Sequence, residues 1–291
     1  MIARWICILF IALVPPAAAS AEMPSTVYFP SGDGRTEIVG YFFSPAGRGP
    51  HPAIVLLHGR AGPYSSNVSG NCTLVARSVP SSCNATSLSR RHQMWGEYWA
   101  ARGYFALLVD SFGPRGKAHG FGRFTHGDAD RDDVNEKTVR PLDAEGALAW
   151  LRTRGDVAAG DIFLQGWSNG GSTLLNVVSR QGKQAGFRAA LAFYPGCGKE
   201  ALLGPAIVTA TPVTLFLGSD DEEVSPDTCR RVAERSREAG SPVDVVWYEG
   251  ATHDFDDPGA SRQSVPGNRA ASSDALQRAI GLLQAARRQN N

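Results

Sequence analysis

Residues 166–171, with the sequence GWSNGG, could turn a serine into a nucleophile. They lie between the apolar run 162–164 (IFL) and an amphipathic segment, 172–178. Gly-x-Ser-x-Gly between a strand and a helix is typical of a nucleophile elbow, where side chains two residues either side of the serine would collide. Such a turn exposes the hydroxyl of Ser168 and aims the next backbone N–H at incoming negative charge. A glycine-rich turn with a bystander serine is the alternative interpretation.

Two further side chains are needed before Ser168 can react. Serine requires a base to remove its proton, and the base requires an acid that holds its tautomer. On a strand–turn–helix elbow the chain order is Ser, then Asp or Glu, then His. His253 is the one histidine after Ser168 and directly follows a predicted strand, so we predict it as the base. Asp220 and Asp221 both directly follow the preceding strand; we favour Asp221 and keep Asp220 as the second candidate.

The negative charge that forms on an attacked carbonyl oxygen needs two backbone donors. The residue after the nucleophile supplies one donor, and the loop after an earlier strand supplies the other. These positions predict the N–H groups of Asn169 and of Arg60, the latter in the sequence HGR at 58–60. We interpret His58 as a residue that fixes this loop. Arg60 and Arg115 could bind a substrate carboxylate or could be solvated arginines, and Trp167 is a further candidate for substrate contact.

The elements around these motifs predict an α/β fold. Apolar runs that suit strands alternate with helical patterns, which favours a mostly parallel sheet with helices on both faces. Ligands of such sheets gather at the carboxyl ends of the strands, where all the motifs above lie. No internal repeat or second domain is evident, so residues 22–291 are predicted to form one domain. The predicted strands are 25–30, 37–43, 53–57, 104–109, 162–164, 189–194, 213–217 and 243–248.

The start of the chain predicts export. One positive charge precedes a short apolar run at 6–14, and small residues follow a Pro-Pro pair, so residues 1–21 are predicted to be a signal peptide. A retained membrane anchor is the alternative, and the apolar run is short for a bilayer span. Removal of the leader takes away Cys7 and leaves an even number of cysteines in an oxidising compartment. We predict the pairs Cys72–Cys83 and Cys197–Cys229 among the three possible pairings.

Composition argues against several other kinds of function. The formal net charge is +1 and no long basic run occurs, so we expect no nucleic-acid partner. No second apolar stretch is long enough to cross a membrane, so we expect no membrane partner once the leader is removed. No Cys-x-x-Cys spacing occurs, and the aspartates at 128, 130 and 132 lack the glycine and glutamate of a calcium loop. We therefore predict no metal and no cofactor.

Several motifs, taken in order, resemble the dienelactone hydrolase family of α/β-hydrolases over roughly residues 26–287. They are HGRAG at 58–62, DSFGPRG at 110–116, the elbow, YPGC at 194–197, GSDD at 218–221 and YEGATHDF at 248–255. The resemblance implies an α/β-hydrolase fold with Asp221 as the acid and His253 as the base. Family enzymes that hydrolyse dienelactone use cysteine at the elbow, whereas serine members resemble general carboxylesterases.

These observations together predict a periplasmic or secreted serine hydrolase. Its substrate would be a small-molecule ester or lactone, cleaved through a Ser168–His253–Asp221 triad and an acyl-enzyme. A peptidase of the same fold and a non-catalytic ligand-binding protein are the alternative functions. The irregular segments 63–91 and 117–140 are expected to shape the pocket, with a disulfide hairpin in the first covering its mouth.

Overall fold

The structure, a computed structural model, describes residues 23–125, 127–184 and 186–288. The predicted leader, residues 1–21, lies outside the described residues. Within them, eight strands form one sheet in the order β1-β2-β4-β3-β5-β6-β7-β8. The strands are β1 (Ser25–Pro30), β2 (Glu37–Phe43), β3 (His51–Leu57), β4 (Phe105–Asp110), β5 (Val157–Trp167), β6 (Ala190–Phe193), β7 (Val213–Gly218) and β8 (Val243–Tyr248).

The sheet is antiparallel at one edge and parallel elsewhere. Strand β2 pairs antiparallel with both β1 and β4, and the pairs from β4 through β3 and β5 to β8 are parallel. Parallel strands bring their carboxyl ends to one edge, so the loops after β3, β5, β7 and β8 meet there. Those four loops contain the predicted catalytic and oxyanion residues.

Helices cover both faces of the sheet because side chains alternate along each buried strand. In β3, Ala53, Val55 and Leu57 pack with helices α3, α4 and α5. Ile54 and Leu56 point to the opposite face, where helices α2 and α7 pack. The helices are α1 (Ser66–Ser69), α2 (Arg90–Ala100), α3 (Arg140–Arg152), α4 (Asn169–Gln181), α5 (Pro226–Glu238), α6 (Ala260–Gln263) and α7 (Pro266–Arg288).

The predicted class, a mostly parallel sheet covered on both faces, is confirmed. Some boundaries differ from the sequence pattern. Strand β5 begins at Val157, before the apolar run 162–164. Helix α3 begins three residues before Asp143, with Pro141 in its first turn. None of the described helices has both the length and the apolar composition that a bilayer span requires.

Both predicted disulfides are formed. Cys72 is bonded to Cys83 within the segment before α2, and Cys197 in the loop after β6 is bonded to Cys229 in α5. The two bonds differ in the length of chain that they close, since 11 and 32 residues separate the respective cysteines. Two disulfides fit a protein of an oxidising compartment.

Removing the longer disulfide is expected to cost more stability. A cross-link limits the unfolded chain more when its loop is longer, which predicts losses of about 4 kcal/mol for the Cys197–Cys229 bond and about 3 kcal/mol for Cys72–Cys83. Urea unfolding of the two double Cys→Ser variants measures both losses. A larger loss for the Cys72–Cys83 variant would contradict the prediction.

Candidate active site

Ser168 lies at the sharp turn between β5 and α4, in a conformation that non-glycine residues rarely adopt. Its φ is 51°, in the left-handed region. A Cβ at Gly166 would lie 2.3 Å from the carbonyl oxygen of Gly170, and one at Gly170 would lie 2.0 Å from that of Leu57. The turn therefore requires glycine on both sides of the serine.

The loops after β7 and β8 bring an acid and a base to Ser168. The Oγ of Ser168 lies 3.0 Å from Nε2 of His253, and Nδ1 of His253 lies 2.8 Å from Oδ2 of Asp221. The side chains of His253 and Asp221 are 2 % and 1 % exposed. Asp220, the second candidate, is exposed instead, and its carboxylate accepts a hydrogen bond from Ser219. The geometry thus favours Asp221.

Hydrogen bonds fix the tautomer of His253. A carboxylate accepts but does not donate, so the proton lies on Nδ1, and Nε2 offers its lone pair to Ser168. The backbone N–H groups of Glu223 and Val224 donate to Oδ1 of Asp221, each at 2.9 Å, and hold this carboxylate in place. Ser168, His253 and Asp221 therefore form one chain of hydrogen bonds, which is the arrangement that a serine nucleophile with a base and an orienting acid requires.

The electrostatic surroundings raise the pKa of His253 above its ordinary value of 6.5. Burial by itself lowers this pKa, because it disfavours the charged ring. The hydrogen bond to Asp221 and the negative charges of Asp254, Asp221 and Glu223 act in the opposite direction and outweigh burial. The site therefore stabilises the imidazolium that proton transfer from Ser168 would create.

Ester hydrolysis is expected to increase with pH along a limb whose midpoint lies above 6.5. His253 accepts a proton only when neutral, so its raised pKa moves the onset of activity upward. A pH profile of kcat/KM measures this midpoint, and a midpoint below 6.5 would contradict the prediction. The same raised pKa makes the folded state more stable at low pH than at high pH. This contribution to the free energy of unfolding is complete below the unfolded-state pKa of His253 and is lost as pH rises through its folded-state pKa.

Two backbone N–H groups beside Ser168 are available to a ligand. Those of Arg60 and Asn169 make no hydrogen bond to any acceptor among the described residues. Arg140 ties the two segments together, since its buried guanidinium donates to the carbonyl oxygen of His58 at 2.7 Å and to Oδ1 of Asn169. His58 joins its loop to the next one by accepting a hydrogen bond from the N–H of Ser111.

The guanidinium of Arg60 is paired with a carboxylate of this chain. It donates to Glu223 through both Nε and Nη2, at 3.1 and 3.0 Å, and Arg123 binds the same carboxylate at 2.7 Å. The carboxylate of Glu223 also lies 3.8 Å from Nε2 of His253. Glu223, His253 and Asp254 place potential metal-ligand atoms within 4.8 Å of one another, but arginines already pair with both carboxylates.

The structure does not bring the other two predicted substrate contacts to Ser168. Arg115 makes a bidentate ion pair with Asp143, both hydrogen bonds being 2.8 Å long. Trp167 is fully buried, and its indole N–H donates to Asp256. Neither side chain lines a cavity beside Ser168. Arg115 therefore forms an ion pair within the fold, and Trp167 packs in the core.

Asp256 is a residue of this site that the sequence analysis did not identify. This carboxylate is completely buried and accepts hydrogen bonds from Trp95 at 2.7 Å, from Trp167 at 2.8 Å and from the hydroxyl of Tyr194. It lies three residues after His253, within the run HDFDD at 253–257. The sequence shows that acidic residues follow His253, but it does not show which of these aspartates is buried. Asp256 links the histidine loop to α2, to the elbow and to the end of β6.

Three residues with positive φ lie around the same centre. They are Ser168, Tyr194 and Asp254, with φ values of 51°, 36° and 58°. The ring centroid of Tyr194 is 4.7 Å from that of His253. Backbone strain of this kind persists only where surrounding contacts hold it, and it is common at functional sites. Asp256 bonds to Tyr194 itself and to the neighbour of Ser168, so its contacts help to hold the strained segments.

Two cavities open beside Ser168. The larger has a volume of about 210 Å³ and reaches from Ser168 and His253 towards the start of α2. The smaller has a volume of about 50 Å³ and lies near Phe124 and Val224. Arg60 and Glu223 line both cavities, so their ion pair lies between them. A substrate bound at Ser168 could therefore extend to either side of this ion pair.

Comparison with known proteins finds solved structures that are similar in fold. A dienelactone hydrolase-like promiscuous phosphotriesterase from metagenomic libraries is 19 % identical, with a TM-score of 0.66 over 91 % of this chain and 99 % of that one. A thermophilic esterase of Thermogutta terrifontis with bound propionate is 20 % identical, with a TM-score of 0.60 over 90 % and 94 %. The same esterase, phosphorylated by paraoxon, matches at 20 % identity with a TM-score of 0.56 over 88 % and 95 %.

The solved structures establish the fold, and a match to a family model establishes the family. The neighbours share the α/β-hydrolase fold expected from the sequence motifs. Residues 90–287, more than half of the chain, match the family model described as the dienelactone hydrolase family. This family consists of hydrolases that act on esters. The chain therefore belongs to the dienelactone hydrolase family.

Proposed function

We propose that the protein is an exported serine hydrolase that cleaves carboxylic esters or lactones through a covalent acyl-enzyme. The observation that carries this proposal is the chain of hydrogen bonds from Ser168 through His253 to Asp221 at the carboxyl edge of the sheet. Family membership supports ester hydrolysis. The triad, the covalent intermediate and export are the parts that we add.

The first half of the reaction forms the acyl-enzyme. Oγ of Ser168 attacks the carbonyl carbon while Nε2 of His253 takes the hydroxyl proton, and Asp221 stabilises the resulting imidazolium. The N–H groups of Arg60 and Asn169 donate to the oxyanion of the tetrahedral intermediate. When this intermediate collapses, the bond to the alcohol oxygen breaks, and His253 gives its proton to the leaving alkoxide.

The second half releases the acid. A water molecule gives a proton to Nε2 of His253 and attacks the acyl carbon, and the same N–H groups bind the new oxyanion. Collapse breaks the bond to Oγ, and the proton on His253 returns to Ser168. Protons and electrons balance between the ester and water, so the cycle needs no cofactor.

The proposal is preferred to the two alternative functions. A non-catalytic protein of this fold commonly lacks a member of the triad, whereas all three side chains are present here within hydrogen-bond distance. A peptidase of this fold usually carries a propeller or a large cap, and the segments beside the site are too short to form one. Ester or lactone hydrolysis therefore remains the best supported reaction.

Export is supported by the two disulfides and by the N-terminal sequence pattern. We propose that residues 1–21 are a cleaved leader and that residues 22–291 are one domain, which acts in the periplasm or outside the cell. N-terminal sequencing of the protein recovered from a secreting host would begin at Glu22. A mature protein that starts at Met1 would overturn this part of the proposal.

A fluorophosphonate probe tests the activated serine directly. Intact mass spectrometry of the wild type is expected to show one adduct, and Ser168→Ala is expected to show none. The Thermogutta esterase described as phosphorylated by paraoxon gives a precedent within this fold. Ser172→Ala is a matched control, because Ser172 lies one helical turn further and bonds to the loop after β6. A folded wild type without an adduct would favour the binding-protein alternative.

A further inference from the structure

The larger cavity beside Ser168 is lined mostly by residues with polar side chains. Besides Gly59, Ala61, Gly62 and Tyr64, the residues that line it carry hydroxyl, imidazole, guanidinium or carboxylate groups. No Leu, Ile, Val, Met or Phe side chain of the described residues lines it. Ligand sites are usually lined predominantly by hydrophobic side chains with a few polar groups. This cavity therefore offers a substrate more hydrogen-bonding side chains than hydrophobic ones.

The cations of the cavity are already paired, which argues against a carboxylate substrate. Arg60 binds Glu223, and Arg91 binds Asp254 at 2.8 Å and Asp257 at 3.1 Å. Two arginines thus face three carboxylates around the same space. A substrate carboxylate would have to displace one of these ion pairs and approach the remaining negative charges.

Hydrogen-bond acceptors, in contrast, remain available. Nδ1 of His92 lies 2.9 Å from the carbonyl oxygen of Pro63, which can only accept, so the proton is on Nδ1 and Nε2 is a bare acceptor. His92 is 3 % exposed, and Nε2 has no hydrogen-bond partner. Burial and the charge of Arg91 lower the pKa of His92 to about 4, so the ring is neutral at pH 7.

Asp254 supplies a second acceptor. Its Oδ1 binds Arg91, and its Oδ2 has no hydrogen-bond donor among the described residues. Although burial raises its pKa, the charges of Arg91, His253 and Arg262 lower it to about 2, so the group is ionised at neutral pH. The side chain of Asp254 is 26 % exposed, so this carboxylate is open to a ligand. Nε2 of His92, by contrast, is buried without a partner, which costs about 1–3 kcal/mol, and a ligand donor relieves that cost.

We propose that this cavity binds a neutral, hydroxyl-bearing part of the ester, whose O–H groups donate to Nε2 of His92 and to the carboxylate of Asp254. The inference rests on the hydrolase function proposed above and specifies its substrate class. At about 210 Å³ the cavity suits a small group, below the roughly 300–1,000 Å³ of drug-sized sites. The part of the substrate that enters this cavity is thus a short hydroxylated group.

Isosteric ester pairs test the proposal and identify the side of the ester that enters the cavity. Phenyl glycolate and phenyl propionate differ by hydroxyl against methyl in the acyl part; 2-hydroxyethyl acetate and propyl acetate differ likewise in the alcohol part. Each kcat/KM is divided by the ester's rate of hydroxide hydrolysis, which removes intrinsic reactivity. We expect at least a tenfold preference for the hydroxyl ester in one pair, and that pair identifies the side. Preferences below threefold in both pairs would overturn the proposal.

A positively charged donor is a separate outcome. Phenyl glycinate carries an ammonium group where phenyl glycolate carries its hydroxyl, so it tests whether the negative charges of the cavity select a cation. A higher normalised kcat/KM for the glycinate than for the glycolate would overturn the assignment to a neutral group.

His92→Phe tests the role of the imidazole. Phenylalanine retains an aromatic ring beside Trp167 but has no nitrogen, so the hydroxyl preference is expected to decrease at least fivefold. The preference is a ratio within one variant, so a general loss of activity cancels. His119→Phe is the matched control, because His119 is exposed and does not line the cavity. An unchanged preference in His92→Phe would overturn the role of Nε2.

Failure of the inference differs from failure of the proposed function. If the cavity does not select hydroxyl groups, both members of each pair are hydrolysed alike and the fluorophosphonate adduct still forms. If Ser168 is not an activated nucleophile, no adduct forms and neither pair is hydrolysed faster than in buffer.

Discussion

Asp221→Asn is expected to lower kcat for ester hydrolysis by about 10⁴-fold while the fold is retained. The carboxylate of Asp221 accepts from Nδ1 of His253 at 2.8 Å, and this contact keeps the proton off Nε2. An asparagine amide can donate to Nδ1 instead, which leaves the proton on Nε2 and removes the base that Ser168 needs. Steady-state kinetics on a phenyl ester, with circular dichroism as the check of folding, measure the loss.

The neighbouring aspartate provides a matched control. Asp220→Asn makes the same chemical change one residue earlier, at an exposed side chain that bonds to Ser219. Its kcat is expected to stay within about threefold of wild type, since substitutions at exposed sites usually have small effects. A large loss of kcat in Asp220→Asn with little loss in Asp221→Asn would identify Asp220 as the acid of the triad instead of Asp221.

Asp256→Ala is expected to lower the free energy of unfolding by about 3–5 kcal/mol. The substitution leaves the indole N–H groups of Trp95 and Trp167 and the hydroxyl of Tyr194 without their buried acceptor. Each buried donor without a partner costs about 1–3 kcal/mol. Arg91, whose Nε lies 3.5 Å from the carboxylate, also loses a nearby negative charge. Urea unfolding followed by tryptophan fluorescence measures the change.

The same substitution is expected to lower kcat more than it raises KM. The elbow next to Trp167, the strained Tyr194 and the histidine loop all depend on contacts with this carboxylate, so the variant loosens the alignment of Ser168 with His253.

Asp257→Ala is the control for the stability of Asp256→Ala: the carboxylate of Asp257 is one-third exposed, and its side-chain ion pair is with Arg91. That variant is expected to lose about 1 kcal/mol or less. Equal losses for the two variants would show that Asp256 has no special role.

Local rules in the sequence determined the elbow and the strands. The steric requirement for glycine at 166 acts against Gly170, in the next turn of the chain, so the motif could be identified without the fold. The requirement at Gly170 comes from Leu57 in the adjacent strand. Apolar runs determined the strands for a similar reason, because a strand buried on both faces needs apolar side chains at successive positions. β1, β2 and β8 were predicted with their observed bounds. His253 followed from chain order alone.

The partners of charged side chains were decided by tertiary structure. The sequence could not show that Arg60 binds Glu223, 163 residues later, or that Arg115 binds Asp143, because neither partner is a neighbour in the chain. The same is true of Asp256, whose donors come from α2, β5 and the end of β6. Residue type indicates what a side chain is able to bind, but packing selects among the possible partners.

Asp220 and Asp221 are adjacent in the sequence, and only the tertiary structure distinguishes between them. Sequence placed both carboxylates after β7, within reach of a base. Adjacent side chains in a turn point in different directions, so one reaches His253 and the other reaches solvent. The sequence by itself therefore determined which chemistry this chain can perform and which segments carry it. Only the folded chain decided which carboxylate faces the histidine and which groups line the cavity, because direction and burial depend on contacts between distant segments.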